Sequence, residues 1–373
     1  MCRPLHPSCG RCGVRVTGGK AMHFLTVLGA RPQFVKAAPL STALRAYGTE
    51  TIVHTGQHYD AGMSDVFFAE LGIAPPDHHL GIGSGSQGAQ TGAMLASLEQ
   101  VMLAERPDVV VVLGDTNSTL AGALAAAKLH LPVAHVEAGL RSFNRRMPEE
   151  VNRVMTDHLS QWSFAPSDGA RRQLADEGIT HGVHVVGDIM LDVVMQQRAR
   201  ARAQSRMPEA LDLVARGYAL ATIHRAENTD DRERLSAVLD SIGALELPVV
   251  LPLHPRTRNR IDAFGLALPS HVRVVEPMGY LDMLALLDGA RCVITDSGGV
   301  QKEAYYVGVP CVTLRGETEW TETVEAGWNM LCEATPDALA SAVAHMTSPR
   351  PAQRPLYGDG TAAEQIAVIL AAA

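Results

Sequence analysis

The sequence predicts an α/β chain of two doubly wound parallel-sheet lobes with a polar cleft between them. Three observations carry that expectation. Short β-branched runs alternate with helical stretches from Met22 onward, and the alternation occurs as two successive series. Charged or imidazole groups follow the runs at the ends where open parallel sheets bind ligands.

In the first series, 23–28 reads as a strand, with a helix opening near Pro32 and running to Tyr47. A second strand covers 51–55. Met94, Leu95, Leu98, Val101 and Met102 recur at helical spacing, so 89–105 is an amphipathic helix. The four valines and leucine of 109–113 form the clearest buried strand. Gly-Asp-Thr-Asn-Ser-Thr follows, where Asn117 or Ser118 would cap a helix ending at Lys128. The next strand is 132–136. The second series places strands at 220–223, 249–253, 272–275, 292–295 and 309–314, with helices between them. The Gln/Arg/Ala-rich stretch 195–217 reads as a solvated helix or linker, and the lobes divide near residue 190. The Arg/Pro stretch 349–355 leads to a last helix at 362–372.

Composition narrows the function. The 373 residues are 46% apolar and 19% charged, and 32 basic against 40 acidic residues give a net charge of −8 with no block of like charge. A basic face for nucleic acid or anionic membrane is therefore not expected, and 5% aromatics disfavour a base-stacking platform. No apolar run reaches the ~18 residues of a membrane span. The expectation is a soluble, cytoplasmic protein. Three of its six cysteines (Cys2, Cys9, Cys12) fall in 1–21, a segment without an apolar signal region. Cys9-Gly-Arg-Cys12 is a single CxxC, which His6 and Cys2 would complete as a zinc site, but a disordered tail or a start upstream of Met22 is the plainer reading. Cys292, Cys311 and Cys332 sit in apolar contexts and read as reduced thiols.

Polar residues at the strand ends outline the cleft: Arg31, Gln57, His58, Asp115 and Glu137 in the first lobe, and His224, His254 and Asp296 in the second. Thr-Asp-Ser297-Gly298-Gly299-Val-Gln-Lys-Glu303 is a strand followed at once by a helix. Its glycines let backbone amides approach an anion at a helix N-terminus, so it reads as a diphosphate cradle, with Glu303 one turn on and within reach of ribose hydroxyls. Gly83-Ser-Gly85-Ser-Gln-Gly88 matches G-x-G-x-x-G, but no convincing buried strand precedes it, and no P-loop motif exists; neither a nicotinamide fingerprint nor a P-loop is supported. From Glu137 to Arg153, three carboxylates and four arginines fall within seventeen residues. A surface ion-pair helix would explain them, but Glu149 and Arg153 follow a proline and would start a helix facing the same cleft as Glu137. Arg31, Lys36, Arg141 and Arg153 are available to neutralise phosphates beside those carboxylates.

These residues carry a resemblance. Gly-Ala-Arg31-Pro, Gly-Asp115-Thr, His135-Val-Glu137-Ala-Gly-Leu-Arg141, Pro-Glu149-Glu-x-Asn-Arg153, His224-Arg, Thr-Asp-Ser297-Gly-Gly and Tyr357-Gly-Asp-Gly stand in the order of the non-hydrolysing UDP-N-acetylglucosamine 2-epimerases, which the chain resembles over 22–373. The resemblance implies the GT-B architecture: an N-terminal extension over 1–21, a Rossmann-like lobe over 22–190, a UDP-binding lobe over 191–355 and a terminal segment over 356–373 returning to the first lobe. It also implies a homodimer needing neither metal nor cofactor. The implied reaction interconverts UDP-N-acetylglucosamine and UDP-N-acetylmannosamine by elimination of UDP to a 2-acetamidoglucal and re-addition, supplying precursor for surface polysaccharide. Asp115, Glu137, Glu149 and His224 match the family's catalytic positions, with the base in each direction left open. Arg31, Lys36, Arg141, Arg153, His254, Met278, Met283, Ser297, Gly298, Gly299 and Glu303 match substrate-side positions, the methionines beside the uracil. Where many members read Thr-Glu-Arg-Pro-Glu, this chain has Trp320 for the arginine, and His-Arg-Arg-Glu-Asn becomes His224-Arg225-Ala226-Glu227-Asn228. Gln57, His58 and His254 match parts of a second, activating substrate site, but Ala93 replaces an arginine of that site, so weaker dependence on added UDP-N-acetylglucosamine is expected. Alternatives are an epimerase of a diacetamido uronate, with Arg145 or Arg146 meeting the extra carboxylate, a hydrolysing relative, or a GT-B glycosyltransferase.

Overall fold

A computed structural model of the chain describes residues 21–57 and 73–373, with the side chain of Arg31 outside the described part. Cys2, His6, Cys9, Cys12 and His58 also lie outside the described residues, and with them the zinc reading. Two sheets, parallel in every pairing, organise the rest. The first contains β1 (Met22–Leu28), β2 (Gly48–His54), β3 (His78–His79), β4 (Val109–Leu113), β5 (Val133–Val136), β6 (Trp162–Ala165) and β7 (Val183–Val185), in the order β3-β2-β1-β4-β5-β6-β7. The second contains β8 (Ala219–Thr222), β9 (Val249–Pro252), β10 (Val272–Val275), β11 (Cys292–Thr295), β12 (Cys311–Thr313) and β13 (Asn329–Leu331), in the order β10-β9-β8-β11-β12-β13. The strand order reverses between β1 and β4 and again between β8 and β11. Those two reversals open the crevices where doubly wound sheets take their ligands.

The central strands are continuous apolar runs because helices cover both faces: all five residues of β4 are buried. Four strands have no counterpart in the sequence-based expectation, being short, at an edge or interrupted by polar residues: β3 has two residues, β6 carries Ser163, and β7 and β13 are three-residue edges. The helix before β4 begins at Gln87, two residues earlier than its apolar period. The helix Asn117–Lys128 is capped by Thr116, whose hydroxyl accepts from the Thr119 amide; neither Asn117 nor Ser118 caps it. Gly114, at φ +63°, turns the chain early enough for Thr116 to be the last extended residue.

The stretch from 195 is also less solvated than its composition suggests. It lies in the helix Ile189–Gln204, whose Ile189, Met190, Val193 and Val194 are buried. That helix packs against Arg31–Leu44 and Ala362–Ala371 at one side and Tyr280–Gly289 at the other, so it forms a spine between the lobes. Arg198 donates to Asp288 at 2.7 Å, and Arg202 donates to the same carboxylate. Asp192 receives the first amides of Ala362–Ala371 (Ala362 at 3.2 Å, Ala363 at 2.8 Å), fastening the last helix beside the first sheet. Gly187 lets the returning chain pass closely: at φ +88°, a Cβ there would lie 2.6 Å from the Tyr357 carbonyl. Among the described residues no helix is long and apolar enough to cross a membrane.

Candidate active site

The first-lobe wall of the cleft is built from the exits of β4 and β5. Glu137 follows β5 directly and adopts φ +72°, a left-handed conformation that costs a non-glycine residue roughly 1–3 kcal/mol. Backbone bonds from Glu137 and Ala138 to the Phe164 carbonyl (3.1 and 3.0 Å) and the turn at Gly139 impose it. The reward is orientation, since the side chain leaves the sheet edge aimed at two lysines. Lys36, from the helix after β1, donates to one carboxylate oxygen, and Lys302, from the helix after β11, donates to the other at 2.6 Å. Burial alone would push the Glu137 carboxyl up, but the two ammonium groups outweigh it and hold the carboxyl far below the ordinary range.

Asp115, after β4, is held by Arg153 at 2.5 Å, while Asn152 donates to its carbonyl at 3.0 Å. Arg153 also meets Glu150 at 3.0 Å. Burial disfavours the Arg153 charge, yet Asp115 and the neighbouring carboxylates keep it firmly protonated. Glu150 is buried and receives the amides of Ser142 (2.8 Å) and Phe143 (2.9 Å), so it shapes the loop in front of the helix Pro148–Leu159. Glu149, beside it, is exposed in that helix's first turn. His135 lies beneath Asp115, with one ring nitrogen 2.7 Å from the Gly114 carbonyl and the other 2.7 Å from Asp157.

Arg141 requires a correction. It does not reach the group formed by Glu137 and Asp115; its guanidinium is buried against Asp157 (2.7 Å) and Glu177 (2.8 and 2.7 Å). With Gly139 turning the chain at φ +82°, the side chain runs beneath the loop rather than toward the cleft, where the buried Asp157 needs a cation. Arg153 likewise acts first on Asp115 and Glu150 rather than standing free for phosphate. Gln57 is engaged too, accepting from the Ser118 amide and hydroxyl at 3.0 and 2.7 Å.

The second-lobe wall is of another kind. Thr222, His224, His254, Met278, Met283 and Ser297 are among the residues lining a cavity of about 210 Å³ at the exits of β8, β9 and β11. Asp296, buried at the end of β11, organises this rim by accepting from the amides of His224 (3.1 Å) and Arg225 (3.0 Å) and from the Asn228 side chain (3.1 Å). The His224 ring is 3.4 Å from the same carboxylate; burial nonetheless pushes it below the usual histidine range, with Arg225 and Arg256 adding to the effect. Beside the cavity the helix Gly298–Val307 begins, and the first-turn amides of Gly298 and Gly299 have no helical acceptor, as at any helix start. A Cβ placed on Gly298 would lie 3.4 Å from the Trp320 indole nitrogen and 3.8 Å from the Arg225 guanidinium. The turn is thus narrow, with the Arg225 cation on one side and a Glu319 carboxylate oxygen, 3.9 Å from the same Cβ position, also beside it.

Three contributors have no role in the sequence-based expectation: Lys302, Asp188 and Arg225. Arg225 adjoins His224 and so lies inside a motif that points to it. Lys302 and Asp188 carried no such signal. Lys302 is buried, donates to Asp188 as well as Glu137, and lies 4.0 Å over the Trp320 ring. Burial disfavours its charge, but Asp188 and Glu137 hold it protonated. Glu303, next along the helix, faces the Tyr280 hydroxyl; burial pushes its carboxyl up to about 7 against the opposing pull of Tyr280 and Lys302. Trp320 packs edge-on to Tyr357 beneath Lys302. Among the described residues no group of three or more His, Cys, Asp or Glu side chains is placed to hold a metal ion. Cys292, Cys311 and Cys332 are free thiols.

The sequence model of the UDP-N-acetylglucosamine 2-epimerase family matches residues 43–371. A Pseudomonas aeruginosa protein named UDP-2,3-diacetamido-2,3-dideoxy-D-glucuronate 2-epimerase is 49% identical over 94% of this chain and 99% of its own length. The UDP-N-acetylglucosamine 2-epimerase of Methanocaldococcus jannaschii is 43% identical over 94% of this chain and 99% of its own. A crystal structure of the M. jannaschii UDP-GlcNAc 2-epimerase in complex with UDP-GlcNAc and UDP superposes with a TM-score of 0.88, covering 94% of this chain and all of that one.

Proposed function

This chain belongs to the UDP-N-acetylglucosamine 2-epimerase family and has its GT-B architecture, and from that premise we propose that it interconverts UDP-N-acetylglucosamine and UDP-N-acetylmannosamine. One observation supports this reading above the others. An ionised carboxylate of the first lobe, Glu137, is held by Lys302 of the second-lobe helix whose glycine-lined N-terminus has the Arg225 cation beside it. That pairing suits a reaction that moves a proton at one carbon while a diphosphate leaves its neighbour.

The hydrogen on carbon 2 has no adjacent carbonyl to acidify it, so direct inversion there is slow. In the proposed course, a carboxylate of the first lobe removes that proton as the electron pair forms the carbon 1–carbon 2 double bond. The bond between carbon 1 and the diphosphate oxygen breaks, leaving a 2-acetamidoglucal and UDP. The amides of Gly298 and Gly299 and the Arg225 guanidinium receive the growing diphosphate charge, while the cavity around Met278 and Met283 keeps the nucleoside bound. Return of a proton to the opposite face of carbon 2, with re-addition of the diphosphate at carbon 1, completes the inversion. Asp115 and Glu149 are the further carboxylates of that wall, and Arg153 fixes Asp115 in place. The product would serve as a precursor for surface polysaccharide. We also propose a homodimer: Val151 and Met155, one turn apart on Pro148–Leu159, are exposed apolar groups that a second copy would cover.

Proton NMR with UDP-N-acetylglucosamine in deuterium oxide tests the reading. Two UDP-linked anomeric signals, with deuterium at carbon 2 of both epimers, are expected; free N-acetylmannosamine with UDP would mean hydrolysis instead. The P. aeruginosa relative supports a second reading, in which the sugar is a 2,3-diacetamido uronate and the exposed Arg145 or Arg146 meets its carboxylate. Exchange confined to that sugar nucleotide would favour it.

A further inference from the structure

We infer that Lys302 is a positioning residue that ties Glu137 of the first lobe to the helix whose first turn is the diphosphate cradle, so that cradle and carboxylate form one mechanical unit. The inference rests on the epimerase reading for its chemistry, though its geometry does not. Lys302 lies four residues after Gly298 on the ten-residue helix Gly298–Val307, one turn below the amides that would receive the diphosphate. Its ammonium crosses to Glu137 at 2.6 Å, donates to Asp188 at the start of the interlobe helix, and is roofed by the Trp320 ring at 4.0 Å. The side chain is almost wholly buried, with 2% exposed, so its charge is screened little by water and its place is fixed by its partners.

The lysine therefore has neighbours of both kinds. Asp188 anchors it, Trp320 covers it, and Glu137 is the partner with a chemical task. Glu137 itself faces Lys36 from the helix Arg31–Leu44 and Lys302 from the second lobe, while Asp188, Glu303 and Tyr306 surround the same charges. Each carboxylate oxygen of Glu137 has one ammonium, and the two ammonium groups come from different lobes. A shift of the cradle helix relative to the first lobe alters the second contact and not the first. Glu137 is thereby held ready, in orientation and in charge, only when the two lobes and the diphosphate turn are in register.

Lys302→Met and Lys302→Gln test this, the second retaining polarity and much of the length if the first does not fold. Carbon-13 NMR of protein labelled at the glutamate carboxyls, with the Glu137 resonance identified by its loss in Glu137→Gln, reads the carboxyl without substrate. Glu137 should remain ionised through the acid range in the wild type and take up its proton at a clearly higher pH in both variants, because one of its two opposing charges has gone while Lys36 remains. Turnover should fall about 100-fold, the size of loss that misplacing a reacting group produces. UDP affinity should stay within about threefold, since the cradle amides are untouched. A Glu137 resonance that titrates as in the wild type, or turnover within about threefold of it, overturns the proposal. If the wild-type chain epimerises nothing, the proposed function fails, while the carboxyl titration still decides the role of Lys302.

Discussion

The first-lobe wall meets the cleft with charges already paired, Glu137 between Lys36 and Lys302 and Asp115 on Arg153, whereas the second-lobe wall meets it with methionines, prolines and open helix amides around a cavity. Both walls stand at the strand-order reversal of a doubly wound sheet, so topology alone does not separate them. The difference lies in how each group is held. Glu137 occupies a left-handed backbone position and two ion pairs, an arrangement suited to a reacting group whose charge and direction must not drift. The second wall leaves backbone donors and apolar surface available, which suits binding a nucleotide through both steps of a reaction.

The comparison predicts that the walls fail differently. Glu137→Gln should lower turnover by roughly 1,000- to 10,000-fold, the upper range for loss of an acid–base group, while UDP affinity changes by less than about threefold. Carbon 2 exchange measured by NMR, alongside calorimetric UDP binding, checks both halves. A Gln variant that binds UDP poorly yet exchanges normally would reverse the assignment of the walls.

The edge of the first wall can be located with Arg141→Ala. Because the guanidinium pairs with Asp157 and Glu177 away from the cleft, its loss leaves the buried Asp157 with only His135 and the Gly139 amide and should cost about 3 kcal/mol of stability, the low end for breaking a buried pair. Denaturant unfolding measures that loss, and turnover per folded molecule should stay within about threefold. A stable variant with weakened UDP binding would return Arg141 to the site.

The second wall is probed by Asp296→Asn. The substitution removes the charge that receives the His224 and Arg225 amides, hydrogen bonds of a kind that contribute about 1.5–3 kcal/mol. UDP affinity should drop about tenfold, with carbon 2 exchange at saturating substrate reduced much less. An equal fall in exchange with affinity intact would place His224 in the chemistry rather than in binding.

Much of this division is legible in the sequence. The valines of β4 and the Asp-Ser-Gly-Gly turn identify themselves because burial on both faces and a tight strand-to-helix turn each demand particular residues. Glu137 and Asp115 were legible by their places after strands. Pairings between distant segments were not: Lys302 meets Glu137 across 165 residues and Asp188 across 114. Nothing local distinguishes such a lysine from a solvated one. Arg141 misled for the converse reason, since its place beside Glu137 in sequence gives no sign that Gly139 turns its side chain beneath the loop.

The smallest expected effect sharpens the comparison at the point where the walls meet. Glu303 belongs to the second lobe but shares the field of Lys302, Asp188 and Lys36, and burial raises its carboxyl from 4.5 to about 7. A raised carboxyl binds its proton more tightly in the folded chain than in the unfolded one. Its ionisation therefore carries no cost to folding below about pH 4.5, and a cost that grows as pH rises toward 7 and is complete above it. Glu303→Gln should accordingly gain thermal stability relative to the wild type as pH rises through that window, by a few degrees at most. Melting temperatures of both proteins across the window decide it. If the two curves run parallel, the carboxyl ionises as freely as on a surface, and Glu303 belongs with the open binding wall rather than with the paired charges beside Glu137.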